Sequence, residues 1–478
     1  MFFNSLQFAY FLPIVFILYW FISKNNLKFQ NLILLISSYF FYGCWDYRFL
    51  LLLLFSTFLD YFSGLKIHKA NSASYKKIWL LLSIIINLGF LSVFKYYNFF
   101  IESFANAISL LGFKINIITL KVILPVGISF YTFHGLSYIL DIYYERIKPH
   151  VNFVEYAVFV SFFPLLVAGP IERATHLLPQ ISKRRIFDYA YASNGLRQIL
   201  WGLFKKVVIA DNCAEYANVI FNNTNHQSGS TLFLGAIFFS FQIYCDFSGY
   251  SDIALGTAKL FGIDLLRNFA FPYFSRDIAE FWRRWHISLS SWFKDYVYIP
   301  LGGSKGNLRN KIRNTFIIFL LSGFWHGANW TFIFWGALNA LYFLPLLLFN
   351  KNRSNMEIVA RDSVFPNVKE IIQMLLTFTL VTLAWIFFRS ENINAAFKYI
   401  SGIFNPSLFT IPAIRPSLVI SLLFIFIITE WFGRRDQYAI EKLGINIPRP
   451  IRWSLYYSLI ALIYIFSGSQ HQFIYFQF

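Results

Sequence analysis

The sequence predicts an all-α, polytopic membrane protein, and three observations carry that assignment. Of 478 residues, 57% are hydrophobic and only 13% charged, roughly half the charged share of a soluble domain. Apolar stretches recur along the chain at Phe8–Ile22, Ile78–Phe94, Thr231–Tyr244, Ile371–Phe388, Ser417–Thr429 and Trp453–Phe466. With their flanks these reach the roughly 18 residues that cross a bilayer as a helix. The short apolar–polar alternation of a membrane β-barrel is absent. Finally, the net charge of +18 gathers in short loops, at Lys76–Lys77, Lys183–Arg184–Arg185 and Lys305–Arg313. Basic loops held on the cytoplasmic side account for that excess, so the lipid bilayer is the expected surrounding and nucleic acid is not an expected partner.

The whole chain, residues 1–478, reads as one continuous membrane domain. Polar interruptions are short: Glu145–Asn152, Glu172–Tyr189, Leu266–Trp285, Gly302–Asn314, Lys351–Lys369 and Gly433–Arg452. No inverted repeat of the transporter kind is visible. About 11 to 13 membrane-embedded helices fit the length, some of them incomplete crossings. The first apolar segment lacks a small-residue cleavage site and reads as an uncleaved span. Cys44, Cys213 and Cys245 stand far apart in apolar surroundings and make no metal-type pair.

Further along, "FYTFHGLSY" sets His134 among apolar neighbours, and "CDFSGYSD" places Asp246 and Asp252 six apart between apolar segments. Buried carboxylates need partners. These two read either as caps of the next helix or as the polar wall of a cavity. Phe281–Pro300 reads as one amphipathic interfacial helix, with Trp285, Leu289, Trp292 and Tyr296 on one face and Arg284, Ser288, Ser291 and Asp295 on another. Pro300 and Gly302–Gly303 would end it. His286 lies within it, as an ordinary interfacial histidine or as a functional one.

Thr315–Phe349 carries no formal charge yet contains His326. If Arg313 marks the membrane surface, His326 lies about 20 Å deeper along a helix, well inside a hydrocarbon core about 30 Å thick. The run is too long for one crossing and too short for two. It predicts a short dipping element, broken near Gly323 or Gly327, and then a full span. Irregular backbone at that depth requires surrounding protein or a water-filled cavity. An intramembrane titratable group is a functional candidate; the alternative is a core histidine bonded to a backbone carbonyl. Gly323 and Gly327 also have the spacing that allows close helix packing. The ligand spacing of a zinc site, a G-x-S-x-G elbow and a P-loop are all missing, so no metal and no bound cofactor are expected.

Taken together, "EFWRRWHISLSSWFKDYVYIPLGG" (Glu280–Gly303) and "SGFWHGANWTFIFWG" (Ser322–Gly336) resemble the membrane-bound O-acyltransferase family. "FPLLVAGPIER" (Phe163–Arg173), "YCDFSGYSDIALG" (Tyr244–Gly256) and the terminal "FIYFQF" (Phe473–Phe478) resemble its alginate O-acetyltransferase-like branch. The likeness runs over essentially the full length, with 280–336 as its catalytic core. It implies a ring of tilted helices around a central funnel, with re-entrant and interfacial helices, in the cytoplasmic (inner) membrane. It implies His326 as the essential catalytic residue with His286 near it, and acetyl-CoA or an acyl-carrier protein as cytoplasmic donor. It implies a cell-envelope polysaccharide as acceptor, and often a periplasmic acetyltransferase of the SGNH type as partner.

The chemistry is consistent with that implication. Transfer from a thioester to a hydroxyl needs a base as the C–O bond forms, and neutral imidazole in a dry cavity suits the task near neutral pH. Asn329, Trp325, Trp330 or protonated His286 are candidate donors to the oxyanion. Arg309 and Arg313 are candidates for the donor's phosphates, with Arg173 a further one at the funnel wall. The aromatic tail, residues 468–478, reads as an interfacial anchor. By resemblance to an acyl-relay motif of D-alanylation systems, it also reads as the carrier of Tyr475, which would hold the acyl group as a phenolic ester. Two further functions stay open: D-alanyl-type transfer to teichoic acid, and a glycan transporter or flippase with proton-relay histidines.

Overall fold

A computed structural model describes residues 1–23, 26–113, 115–120, 123–167, 169–443, 447–468 and 471–474. Among the described residues every regular element is helical. Five helices are long and apolar enough to cross a membrane: Tyr47–Lys69, Ala73–Leu110, Gly229–Leu260, Trp330–Leu348 and Val368–Arg389. Shorter apolar helices occupy Leu6–Ile22 and Ser417–Gly433. The chain divides into two compact units, residues 1–192 with 257–266 and residues 193–256 with 267–478.

In the first unit, α1 (Tyr47–Lys69), α2 (Ala73–Leu91) and α3 (Ile128–Tyr143) pack around a buried carboxylate. Asp60 on α1 accepts from Ser83 Oγ at 2.6 Å and from Asn87 Nδ2 at 2.8 Å, both on α2. Gly135 on α3 makes the approach possible, because a Cβ there would stand 1.9 Å from Asp60 Oδ2. These bonds offset the desolvation cost of a carboxylate in an apolar setting. On the same α3, His134 is fully buried, and its Nε2 accepts from the Glu172 amide at 3.0 Å. That contact makes it a structural tie to the start of α4 (Ala174–Ile181).

The second unit holds α5 (Gly229–Leu260), whose last four residues belong to the first unit, and then α6 (Ile278–Arg284) and α7 (Ile287–Phe293). After them come α8 (Leu308–His326), α9 (Trp330–Leu348), α10 (Val368–Arg389) and α11 (Ser417–Gly433). The apolar window of α5 is 83% buried, against 39% for α9 and 44% for α10. A helix apolar on all sides belongs in the interior, whereas more than half of the apolar stretch of α9 and of α10 is left unburied by the protein.

Two sequence expectations are corrected here. Phe281–Pro300 is not one helix. It breaks at Trp285–His286 into α6 and α7 and continues as a π-helical turn over Lys294–Tyr298. The predicted apolar face is buried at Trp285, Leu289 and Trp292, but Ser288 from the other face is buried too. Likewise, the uncharged run after Thr315 ends in the expected span, α9, but the element before it is not a short dip. α8 begins earlier, at Leu308, runs unbroken through Gly323 and ends at His326, so α8 and α9 form an antiparallel hairpin of two 19-residue helices. The break comes at Gly327. Gly323 and Gly336 serve close packing instead: a Cβ on Gly323 would lie 2.2 Å from Phe332 O, and one on Gly336 2.3 Å from Phe319 O.

Candidate active site

The hairpin places His326 on the last turn of α8. Helix termination there follows from local chemistry. Gly327 adopts an extended conformation, and Asn329 caps α9 by accepting from the Thr331 amide at 3.0 Å. A Cβ on Gly327 would lie 2.1 Å from the Phe332 ring. The His326 ring is 3% exposed and meets Trp325, Trp335 and Phe388 edge to face, at centroid distances of 4.9, 5.2 and 5.2 Å. Such packing fixes ring orientation through complementary quadrupoles.

His286 stands in the break between α6 and α7 with φ 43° and ψ 55°, the left-handed region. A non-glycine residue held there costs about 1–3 kcal/mol and persists only where its surroundings impose it. The surroundings are the segment Asn268–Phe271. Ala270 N donates to Arg284 O at 3.0 Å, and Ile287 N donates to Asn268 O at 2.9 Å. These bonds replace helix bonds on both sides of His286. The ring is 1% exposed and lies edge-on to Phe247 of α5 at 4.7 Å and to Trp325 at 5.9 Å.

The two arginines before His286 tie the same region down. Arg284 binds Glu280 Oε1 through Nη2 at 2.8 Å, and Arg283 donates to the carbonyls of Asn352 and Asn355 at 2.9 and 2.7 Å. Glu280 is held from the other side by Arg276, Nε to Oε2 at 3.0 Å.

Forty positions apart in sequence, the histidines line one cavity of about 100 Å³. Its other walls are Trp282, Leu289, Ser290, Phe293, Ile318, Phe319 and Ser322. The space corresponds to roughly three waters at ~30 Å³ each. Two imidazoles in such an apolar chamber are chemically able to accept and to donate a proton with little competing water. Among the described residues, no group of three or more His, Cys, Asp or Glu side chains is placed to hold a metal ion.

The remaining predicted residues fall elsewhere. Arg309 and Arg313 are exposed in the first turns of α8, at the opposite end from His326; Arg313 bonds Asn314 Oδ1 through Nη2 at 3.0 Å. Asn329 gives its side-chain oxygen to the α9 cap and its Nδ2 to Glu391 O at 2.9 Å. Arg173 is buried in the first unit as the residue before α4. Tyr475 lies outside the described residues.

Asp246 and Asp252 do not cap a helix. Both lie inside α5, and their partners come from a π-helical turn, Phe204–Ala210. Lys205 pairs with Asp252 at 2.6 Å, and Lys206 pairs with Asp246 at 2.9 Å and Asp211 at 2.8 Å. Asp252 lines a second, smaller cavity of about 20 Å³ with Lys205, Tyr244 and Glu430 rather than the histidine cavity. The Lys206 cluster holds the end of the chain: Lys206 Nζ donates to His471 O at 3.0 Å, and Asp246 Oδ2 accepts from Ile474 N at 2.7 Å. Phe473 is completely buried, 4.4 Å from the Tyr250 ring and 6.0 Å from Phe247. The described part of the tail is therefore docked in protein rather than set out as an interfacial anchor. Two lysines within an apolar stretch were the available signal for these pairs.

A model of the membrane-bound O-acyltransferase family matches residues 138–387. The chain is 38% identical over 430 residues to a peptidoglycan O-acetyltransferase of Helicobacter pylori, covering 84% of this chain and 79% of that one. It is 37% identical over 445 residues to a probable alginate O-acetylase AlgI of Pseudomonas aeruginosa, covering 92% and 82%. A teichoic acid D-alanyltransferase of Bacillus subtilis is 30% identical over 239 residues, covering 47% and 60%.

Proposed function

The chain belongs to the membrane-bound O-acyltransferase family, and from that premise we propose that it moves an acetyl group from a cytoplasmic thioester to hydroxyls of a cell-envelope polysaccharide. Family membership supports an O-acyltransferase reading of the histidines over the transporter reading. The observation that carries the proposal is the single cavity shared by His286 and His326. In the proposed step, a His326 nitrogen takes the proton of the acceptor hydroxyl while that oxygen bonds to the thioester carbonyl carbon. The C–S bond then breaks, and the proton passes to the departing thiolate. General-base assistance of this kind contributes about 10²–10⁴-fold. His286, which lines the same cavity, is the proposed donor to the oxyanion.

The acyl group and the acceptor follow from size and from relatives. A cavity of about 100 Å³ suits a small acyl group better than a fatty chain. The relatives are named for peptidoglycan and alginate acetylation, and a polysaccharide acceptor is proposed here on their analogy. The donor is acetyl-CoA or an acyl-carrier protein. Its phosphates would meet Arg309 and Arg313, whose places on α8 lie about 26 and 20 Å of helix rise from His326. The thioester must then arrive on an extended arm of comparable length. The proposed setting is the cytoplasmic (inner) membrane, with an SGNH-type acetyltransferase as periplasmic partner. Tyr475, one residue beyond the anchored Ile474, is the proposed carrier of the acyl group toward it.

The test is purified protein in lipid nanodiscs given labelled acetyl-CoA, acetyl carrier protein or D-alanyl carrier protein. Thioester turnover with an acetyl donor, lost in His326→Ala, is the expected result. Turnover of the D-alanyl donor alone would move the protein to teichoic-acid-type chemistry. No His326-dependent turnover of any donor would overturn the proposal. In cells, Tyr475→Phe is expected to stop acetylation of the surface polymer while protein levels hold, and normal acetylation would remove the relay.

A further inference from the structure

We propose that Asn268 is the positioning residue of His286: one buried amide fixes the turn that aims the imidazole into the catalytic cavity. This rests on the proposed role of His286 in acyl transfer. The histidine sits where helix α6 should have continued into α7, and a left-handed backbone is uncommon for any residue but glycine. The conformation is imposed by Asn268 through three bonds, two to α7 and one to α5. Its carbonyl accepts from Ile287 N at 2.9 Å, directly after the histidine. Its Oδ1 accepts from Ser288 Oγ at 2.6 Å, on the first turn of α7. Its Nδ2 donates to Ser251 Oγ at 2.9 Å, on α5.

The three contacts use the residue's full geometry. Asn268 is 1% exposed and Ser288 and Ser251 are 1% and 3% exposed, so water does not substitute for any of them. Two residues on, the Ala270–Arg284 bond closes the other side of the break, and Phe271 is itself left-handed at φ 52°. Two non-glycine residues in the left-handed region therefore lie at the two ends of one short pairing. α5 supplies Phe247 against the His286 ring and Ser251 to Asn268. One helix thus sets the ring's packing and, through Asn268, its backbone. Because positioning errors of about 1 Å cost on the order of 10²-fold in rate, Asn268 acts on kcat without touching the reacting atoms.

The test is a kinetic cycle on the full-length protein in nanodiscs, with wild type and His326→Ala as references. Asn268→Ala is expected to lower kcat about 10²-fold, with donor KM within roughly twofold. In a His286→Ala background the same substitution is expected to cost nothing further, because a residue that acts through another loses its effect with it. Ser288→Ala, which removes only the 2.6 Å donor, is the second variant if Asn268→Ala fails to fold, and it should lower kcat by about tenfold with unchanged KM. Unchanged kcat in Asn268→Ala, or a loss that multiplies in full on His286→Ala, overturns the inference and leaves the acyltransferase reading standing. A fully active His286→Ala removes this inference and the proposed role of His286, and leaves the acyltransferase reading to His326.

Discussion

At the scale of the residue, His326 and His286 reach one chamber by different routes. His326 gets there at the end of a regular helix, enclosed by the edges of Trp325, Trp335 and Phe388. His286 gets there through a left-handed turn. In sequence, His326 stood out as a titratable group in a long uncharged run, and His286 as a histidine within an amphipathic segment. The turn was not legible, because the bonds that impose it come from Asn268 and Ala270, on a separate segment before α6. The chamber also carries a prediction about substrate size. Ile318 forms part of its wall and is only half-buried, so Ile318→Ala enlarges the space at modest cost in stability. The ratio of butyryl to acetyl thioester turnover should rise by about tenfold, within the range a methylene commands in an apolar pocket. Initial rates with paired donors measure it, and an unchanged ratio would detach acyl selectivity from this cavity.

Among elements, the α8–α9 hairpin shows where length arithmetic fails. Counting from Arg313 put His326 at the right distance along a helix, and Gly327 was among the expected breaks. The shape of the segment came out differently because Leu308–Asn314, polar in sequence, is helical and supplies the missing turns. Glycine was ambiguous in the same way. A Cβ at Gly336 would lie 2.3 Å from the Phe319 carbonyl oxygen, a backbone contact that a rotamer change does not relieve. Gly336→Ala should therefore destabilise the protein by about 1–3 kcal/mol, as overpacked interiors do. Thermal unfolding in detergent reads this directly. A variant as stable as wild type would show that the helices part without penalty.

For the molecule as a whole, the all-helical membrane character followed from composition and apolar run lengths alone. What sequence could not give was the pairing of charges inside it. Asp246 and Asp252 were visible as carboxylates in need of partners; Lys205 and Lys206 supply them from another part of the chain. The Lys206 cluster joins α5, the Phe204–Ala210 turn and the end of the chain in the second unit. Removing one partner of a buried pair leaves an uncompensated charge and costs about 3–5 kcal/mol. Lys206→Met leaves two such carboxylates, so a loss of at least that order is expected, together with faster carboxypeptidase trimming of the tail. Wild-type stability and trimming rate would show that the tail is held by Phe473 and Ile474 alone.

The claim on which the rest depends is that two histidines work in one chamber. A double-mutant cycle on kcat for acetyl-thioester turnover, with His326→Ala, His286→Ala and both together, addresses it most directly. Residues that act as a unit are strongly non-additive, so the double variant should be no slower than His326→Ala alone, with each single loss at about 10²-fold or more. Losses that multiply, or a single variant that keeps full turnover, would contradict it.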